Sequence, residues 1–180
     1  MDFVEKTVSQ EYIFHGHIMT VRVDQATLPN GKPCTREVCE HPGGVGILPL
    51  DADGNVTLVR QYRYPYGEVI LEIPAGKMDQ GPEGHLACGI RELAEETGLI
   101  PETMIYLGEI WPSPGFMDER LHLYCAKGLT QGETHPDEDE FVEVVKMPLS
   151  ELKARIVSGE IKDAKTVVAV GKVLMMGLAD

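Results

Sequence analysis

Three glutamates in the middle of the sequence, Glu92, Glu95 and Glu96, have the residue type and the spacing of a site for hard cations. At about 100° per residue of an α-helix, the three side chains fall on one face. Glu92 and Glu96 are four residues apart and repel each other, which costs an isolated helix roughly 0.2–0.5 kcal/mol. Carboxylate oxygens are the ligands that Mg2+ and Ca2+ prefer. The cluster therefore predicts a cation site, although an acidic helix face exposed to water would have the same pattern.

The helix that would carry these glutamates is predicted from about residue 82 to residue 97. Gly98 is well placed to end it, because glycine readily adopts the left-handed conformation found after helix C-termini. On the side opposite the glutamates, the expected core-facing stripe comprises Leu86, Ile90, Leu93 and Thr97. A strand that ends in a glycine turn at residues 73–77 precedes the helix, and a loop joins the two.

The elements around this helix are mostly strands. Residues 12–40 alternate in short strand-like pieces, and Asn30–Gly31 is a typical hairpin turn between two of them. Further strands are predicted at residues 45–49, 56–60, 69–73, 105–110, 121–126 and 141–146. Ser150 and Asp163 are the expected N-caps of a short helix and of a longer one through Leu178. This order indicates an α+β fold in which a mixed sheet is sandwiched between helices.

The composition restricts what the chain binds. It has 29 acidic and 16 basic residues, a formal net charge of −13, whereas a protein that binds duplex nucleic acid needs a basic face. The same charge would repel a phosphorylated substrate unless bound divalent cations offset it. We therefore expect no nucleic-acid partner, and any anionic substrate to be bound together with metal ions.

The location of the protein is predicted from its cysteines and its apolar segments. Cys34, Cys39, Cys88 and Cys125 include no C-x-x-C pair, so they are expected to be reduced thiols. No apolar stretch approaches the roughly 20 residues of a membrane helix. The first residues lack the basic and apolar regions of a signal peptide. A soluble, cytoplasmic protein without a membrane partner is expected.

The segment from Gly76 to Leu99 resembles the Nudix box, G-x5-E-x7-R-E-U-x-E-E-x-G-U, in which U is aliphatic. The matching residues are Gly76, Glu83, Arg91, Glu92, Leu93, Glu95, Glu96, Gly98 and Leu99. From Glu83 onwards every fixed position and spacing matches. The departure lies in the loop, where six residues rather than five separate Gly76 from Glu83. An extra residue at a loop tip is usually tolerated, so the departure affects the loop geometry more than the metal site.

The likeness extends over most of the chain and is closest to the ADP-ribose pyrophosphatase branch of Nudix hydrolases. It is carried by residues 60–63 and 72–76, by residues 113–119 with their proline, and by the acidic loop 137–140. Relatives that act on other nucleotide sugars share similar segments. The resemblance implies a Nudix fold preceded by a small antiparallel sheet. The expected domains are residues 1–42, for dimerisation and for covering the substrate, and residues 43–180, the hydrolase domain.

The resemblance also assigns the metal site and the general base. Two or three Mg2+ ions, with Mn2+ possible, would be held by the carboxylates of Glu92, Glu95 and Glu96 and by the carbonyl of Ala75. Glu138, in the acidic loop, is the expected general base, with Glu140 a neighbouring metal ligand or a substitute for it. Glu96 and Glu138 are thus the expected catalytic residues. Arg91 and Glu83 would form a structural pair that anchors the loop to the helix.

The substrate site follows from the same resemblance. Arg63 would contact the diphosphate, since its planar donor fork suits phosphate oxygens. Arg36 and Glu37 match positions that hold the adenine, often from a partner subunit, although an ordinary exposed strand pair would look the same. The expected substrate-binding residues are Arg36, Glu37, Arg63, Glu72, Gly115, Phe116, Met117 and Glu119.

The function that the resemblance implies is metal-dependent hydrolysis of ADP-ribose to AMP and ribose 5-phosphate, in a homodimer. Two alternatives stay open. One is another nucleotide sugar, such as GDP-mannose, cleaved at the same metal site with a different base pocket. The other is a module that binds ADP-ribose without cleaving it. The presence of all three helix glutamates favours an enzyme, because inactive modules of this kind typically lose them.

Overall fold

The computed structural model describes residues 2–78, 81–133 and 141–179. The strands and helices are β1 Lys6–His15, β2 Thr20–Thr27, β3 Pro33–Glu40, β4 Gly44–Pro49, β5 Asn55–Arg63, β6 Glu68–Glu72, β7 Ala75–Lys77, α1 His85–Thr97, β8 Leu99–Ile110, β9 Leu121–Gln131, β10 Glu143–Pro148, α2 Leu149–Val157 and α3 Ala164–Met175. They form two compact units. One comprises Met1–Gly43 and Trp111–Arg120, and the other Gly44–Ile110 and Leu121–Asp180. The division into domains at residues 42 and 43 stays a prediction, and the sequence did not associate residues 111–120 with the N-terminal unit.

The N-terminal unit is built on the antiparallel sheet β1-β2-β3. The predicted hairpin at Asn30–Gly31 joins β2 to β3, with Gly31 at a φ of 82°, a conformation that glycine adopts without steric cost. The segment 111–120 attaches to the end of β3, because the Cys39 N–H donates to the Phe116 carbonyl at 2.7 Å and the Asp118 N–H donates to the Cys39 carbonyl at 3.1 Å. The segment therefore joins the edge strand β3 at Cys39, by an isolated parallel bridge to Met117.

The second unit contains two sheets, β7-β4-β9-β8 and β10-β5-β6. Strands β4 and β9 are parallel, whereas β4–β7, β8–β9 and the pairs of the smaller sheet are antiparallel. The predicted mixed sheet is confirmed. None of the helices in the described part of the chain is long and apolar enough to cross a membrane.

Helices cover both faces of the larger sheet, because side chains alternate between the two faces of a strand. In β4, Val45 and Ile47 pack with Leu93 of α1. Leu48, on the opposite face, belongs to a cluster with Val170 and Val173 of α3. The predicted arrangement of a sheet between helices is therefore confirmed, with α1 on one face and α3 on the other.

Helix α1 turns a different side towards the sheet than its sequence suggested. The prediction that Leu86 and Ile90 face the core was wrong, since their side chains are 45% and 40% exposed. Cys88 and Gly89 are buried instead. A Cβ on Gly89 would lie 3.1 Å from Cγ2 of Val45, so the helix packs closely on β4 through its smallest residue. With Gly89 against β4, Leu86 and Ile90 lie on the exposed side of the helix.

The ends of the helices agree only in part with the prediction. Gly98 ends α1 with a φ of 71°, and its N–H donates to the Ala94 carbonyl. Asp163 caps α3, accepting from the Thr166 N–H. The prediction that Ser150 caps α2 was wrong, because the helix already begins at Leu149, directly after Pro148. Helix α3 ends at Met175 rather than at residue 178.

Candidate active site

Two carboxylates of α1 lie against the backbone of the short strand β7. Glu96 is only 5% exposed, and its Oε2 accepts a hydrogen bond from the Ala75 N–H at 3.1 Å. One helical turn earlier, the Glu92 carboxylate occupies the space beside Gly76, where a Cβ would lie 1.8 Å from its Cδ. The predicted glycine turn is thus a short strand that is paired with β4. Because Gly76 has no side chain, the Glu92 carboxylate fits beside this strand.

Arg91 draws the carboxylates of the helix together. Its Nη1 lies 2.8 Å from Oε1 of Glu92 and 2.7 Å from Oε2 of Glu95. Its Nη2 lies 3.3 Å from Oε2 of Glu83, which is the anchoring pair that the sequence suggested. Burial alone would lower the pKa of Arg91, but the hydrogen bond to Glu83 and the charges of Glu92 and Glu95 raise it. The arginine therefore stays charged and offsets part of the repulsion among the glutamates.

The donors at this site suit a hard divalent cation. Carboxylate oxygens are the preferred ligands of such ions, and an ion would relieve the repulsion between Glu92 and Glu96, which share the space beside β7. Within residues 2–78, 81–133 and 141–179, no group of three or more His, Cys, Asp or Glu side chains is arranged to hold a metal, and the Glu92 and Glu95 carboxylates face Arg91. The three-glutamate site therefore stays a prediction. Glu138 and Glu140, the expected base and its neighbour, lie outside the described residues.

Arg63 and Glu72, both expected to bind substrate, form an ion pair. The Arg63 Nε donates to Oε1 of Glu72 at 2.7 Å, and Glu72 is fully buried. Burial alone would lower the pKa of Arg63, but the hydrogen bond to Glu72 and the nearby charges, including that of Glu96, raise it. The guanidinium makes no further hydrogen bond within the described ranges, and its side chain is 38% exposed. It can therefore present its terminal amino groups to an anion, whereas Glu72 is placed to hold Arg63 rather than to touch a ligand.

A pocket in the N-terminal unit contains most of the other expected substrate residues. Its volume is about 300 Å3, and its lining includes Arg36, Glu37, Gly115, Phe116 and Met117. The Arg36 guanidinium is paired with Glu5, another lining residue, at 2.6 Å. Glu119 is not among the lining residues and lies 3.4 Å from Nδ1 of His41. The lining therefore combines charged side chains of β3 with the aromatic ring of Phe116.

Asp24 is a residue of this pocket that the sequence interpretation missed. It is buried, and its Oδ2 accepts from Gln10 Nε2 at 3.3 Å and from Arg22. Its Oδ1 is the one buried side-chain nitrogen or oxygen without a hydrogen-bond partner in the part of the chain that the structure describes. The available signal was the alternation in β2, which puts a carboxylate on the face shared with Ala26, a buried residue.

Comparisons with known proteins identify the family of the chain. The NUDIX domain family matches residues 40–167, and the nucleoside diphosphate sugar hydrolase N-terminal domain matches residues 5–45. A methanol dehydrogenase activator from Bacillus methanolicus is 43% identical over 170 residues, 93% of this chain and 91% of its own. An ADP-ribose pyrophosphatase from Bacillus subtilis (strain 168) is 39% identical over 168 residues, 92% of this chain and 90% of its own.

A solved structure gives the same fold. The crystal structure of an ADP compounds hydrolase superposes with a TM-score of 0.84 at 22% identity, covering 96% of this chain and 93% of that one. At this identity the likeness shows the fold alone, and it agrees with the mixed sheet between helices. The family follows from the sequence matches, which cover more than half of the chain. The chain belongs to the NUDIX domain family and is a Nudix hydrolase with a nucleoside diphosphate sugar hydrolase N-terminal domain.

Proposed function

We propose that this chain hydrolyses the diphosphate bond of a nucleoside diphosphate sugar, with ADP-ribose as the first substrate, giving AMP and ribose 5-phosphate. The observation that carries the proposal is the placement of Glu92 and Glu96 against β7, together with the partly exposed Arg63 side chain that Glu72 holds. Hydrolysis of a diphosphate requires carboxylates that bind cations and an arginine that binds the phosphate oxygens. The Bacillus subtilis relative, named an ADP-ribose pyrophosphatase, supports this choice of substrate.

Nudix hydrolases generally use divalent metal ions such as Mg2+. In this chain we propose two or three Mg2+ ions, or Mn2+ in their place, on Glu92, Glu95 and Glu96, with the carbonyl of Ala75 and the carboxylate of Glu140 as further ligands. Bound ions would withdraw charge from the phosphoryl group and make the attacking water more acidic. Arg91, already in contact with Glu92 and Glu95, would keep these carboxylates grouped.

Side chains would bind the substrate and remove the proton from the attacking water. Arg63 would bind a phosphate oxygen through its terminal amino groups, in the bidentate manner that suits guanidinium. Glu138 would take the proton from the attacking water, as a general base within hydrogen-bond reach must. The water oxygen then forms a bond to phosphorus as the bridging P–O bond breaks, and the departing phosphate carries away the electron pair.

The N-terminal pocket would hold the nucleobase. Arg36 and Glu37 supply donors and acceptors, Phe116 an aromatic face, and the volume of about 300 Å3 suits one ring system with its ribose. We propose a homodimer in which this unit of one subunit covers the nucleotide site of the other. The exposed strand β1, with Val8, Tyr12, Ile13 and Phe14 all at the surface, supports it, because an exposed apolar edge strand is suited to pairing with another chain. A cytoplasmic location is proposed as well, since the four cysteines form no disulfide and thiols stay reduced in that compartment.

A second candidate function belongs to a different class. The Bacillus methanolicus relative is named a methanol dehydrogenase activator, so this chain could raise the activity of a partner dehydrogenase. Adding the purified chain to methanol dehydrogenase would test this. A rise in dehydrogenase turnover that a hydrolytically dead variant also produces would favour activation by binding.

A panel of nucleotide sugars tests the proposed function. ADP-ribose, GDP-mannose and other nucleoside diphosphate sugars are incubated with the chain and Mg2+, and the released nucleoside monophosphate is measured. We expect the highest kcat/KM with ADP-ribose. Preference for GDP-mannose would move the assignment to the alternative substrate, and binding of ADP-ribose without release of AMP would favour the non-catalytic module.

A further inference from the structure

Lys165, in the first turn of α3, is a buried cation that the sequence interpretation did not use. The residue is only 8% exposed. Its Nζ contacts Oε2 of Glu72 and lies 2.9 Å from Oδ1 of Asp163. A buried charge is tolerated only when it is paired and hydrogen-bonded, and here both partners are carboxylates. Lys165 is therefore held by two carboxylates, of which Glu72 is fully buried.

Glu72 connects Lys165 to Arg63. One carboxylate oxygen of Glu72 contacts the Lys165 Nζ, and the other accepts from the Arg63 Nε at 2.7 Å. Asp163 also accepts from the Lys165 Nζ, so the two cations and the two carboxylates balance in charge. The Arg63 side chain is the most exposed of the four, so the contacts of Glu72 bear on the orientation of Arg63 and not on a net charge of the group.

The first turn of α3 is also held by hydrogen bonds of Asp163 and Thr166. Asp163 Oδ2 accepts from the Thr166 N–H at 2.9 Å and from its hydroxyl at 2.6 Å. The Thr166 Oγ1 in turn accepts from the Ile73 N–H at 2.9 Å. Glu72 and Ile73 are consecutive, so α3 contacts the end of β6 in two ways. Lys165 forms an ion pair with Glu72, and Thr166 accepts a hydrogen bond from the Ile73 N–H. Because Glu72 is fixed by these contacts, it can hold Arg63 in one orientation.

We propose that Lys165 is a positioning residue for substrate binding. Through Glu72 it fixes the orientation of the Arg63 guanidinium towards the diphosphate. The inference rests on the proposed function, because it takes Arg63 to be the diphosphate contact. Lys165 touches neither the substrate nor the reacting atoms.

The test is a double-mutant cycle on Lys165 and Arg63. Steady-state kinetics with ADP-ribose and Mg2+ are compared for the wild type, Lys165→Met, Arg63→Ala and the double variant. Lys165→Met is expected to raise KM by roughly tenfold, the size of one lost charge-assisted hydrogen bond, and to leave kcat within about twofold. In the Arg63→Ala background the same change should raise KM no further, because Lys165 acts through Arg63.

Matched controls separate positioning from a general defect. Lys162→Met removes an exposed lysine just before α3, 3.8 Å from Glu68, and should leave KM unchanged. Lys165→Arg keeps the charge and should recover most of the affinity. If Lys165→Met does not fold, Lys165→Met/Asp163→Asn removes one charge of each sign and keeps an N-cap, and it should show the same rise in KM.

Two results would overturn the inference. One is an unchanged KM in the folded Lys165→Met protein or in the charge-balanced double variant. The other is a rise in KM that persists undiminished without Arg63. Failure of the proposed function is distinguishable, because the wild type itself would then release no AMP. In that event the same cycle is measured as the dissociation constant of a methylene-bridged ADP-ribose analogue, and equal constants in wild type and Lys165→Met would still reject the inference.

Discussion

Gly76 of β7 and Glu92 of α1 share a space that only one of them can fill. A Cβ on residue 76 would lie 1.8 Å from Cδ of Glu92 and 2.1 and 2.3 Å from its two oxygens. The glycine therefore sets where the Glu92 carboxylate lies relative to the backbone of β7.

Gly76→Ala is expected to displace Glu92 and to leave the fold intact, because the clashing atoms are the far end of a flexible side chain. Turnover should fall by roughly 10²-fold, the loss expected when a catalytic group moves by about an ångström. Circular dichroism and a thermal melt report the fold, and AMP release reports turnover. Gly84→Ala is the control, since a Cβ there meets nothing within 4 Å. Normal turnover in Gly76→Ala would contradict the placement of Glu92 at the reacting centre.

Much of the fold was predictable because it depends on local signals. The glycine at residue 98 and the aspartate at residue 163 mark helix ends through their own backbone and side-chain chemistry. The strands follow from alternation along a few residues. The orientation of α1 was not predictable in this way, because it depends on the fit of Gly89 against Val45, and that contact is between residues far apart in sequence.

The site, too, has features that the local sequence predicted and features that depend on distant residues. The spacing of Glu92 and Glu96 on one helix predicted that they would lie on one side, and both lie against β7. The sequence did not show that Glu72 is buried between two cations, because Lys165 lies 93 residues away. Pairing of distant charges is decided by the tertiary fold, and no local pattern reports it.

The general base gives the second prediction. Glu138→Gln should lower kcat by roughly 10²–10⁴-fold, as expected for a lost general base, with KM little changed. Glu140→Gln should cost less, unless Glu140 is a metal ligand. If Glu138→Gln kept its turnover and Glu140→Gln lost it, the two roles would be exchanged. If neither variant lost activity, Glu119 would be the next residue to test.

Acid stability should depend on Asp51. Burial tends to raise the pKa of Asp51, but its hydrogen bonds to Lys146 and Asn55 lower it from 3.8 to about 2. The folded state thus binds this proton less tightly than the unfolded chain. The stabilisation is complete above the unfolded value and is lost as the pH falls between those two values.

Urea unfolding as a function of pH measures this contribution. Asp51→Asn should lower the midpoint at neutral pH, and the difference from wild type should shrink as the pH falls towards 2. Asp53→Asn, in the same turn, is the matched control. A difference between wild type and Asp51→Asn that is independent of pH would rule out the ionised carboxylate as the cause.

The cysteines should differ in reactivity. All four are thiols outside any disulfide, and Cys39, Cys88 and Cys125 are buried, whereas Cys34 is partly exposed. Burial raises the pKa of Cys125 to about 11 and also raises that of Cys39, so the reactive thiolate is scarce at both. A thiol reagent should label Cys34 rapidly in the native protein and all four after denaturation. Cys34→Ser should abolish the fast phase, and a fast phase that survives this change would contradict the burial of the others.

The central claim is that Glu96 belongs to a metal site that cleaves a nucleotide sugar. The most direct measurement is AMP release from ADP-ribose as a function of Mg2+ concentration, for wild type, Glu96→Gln and the exposed control Glu102→Gln. The account predicts Mg2+-dependent turnover in wild type and control. It predicts a loss of at least roughly 10²-fold in Glu96→Gln, since this change removes a charged group at the reacting centre. Near-normal turnover in a folded Glu96→Gln protein, with an unchanged requirement for Mg2+, would contradict it.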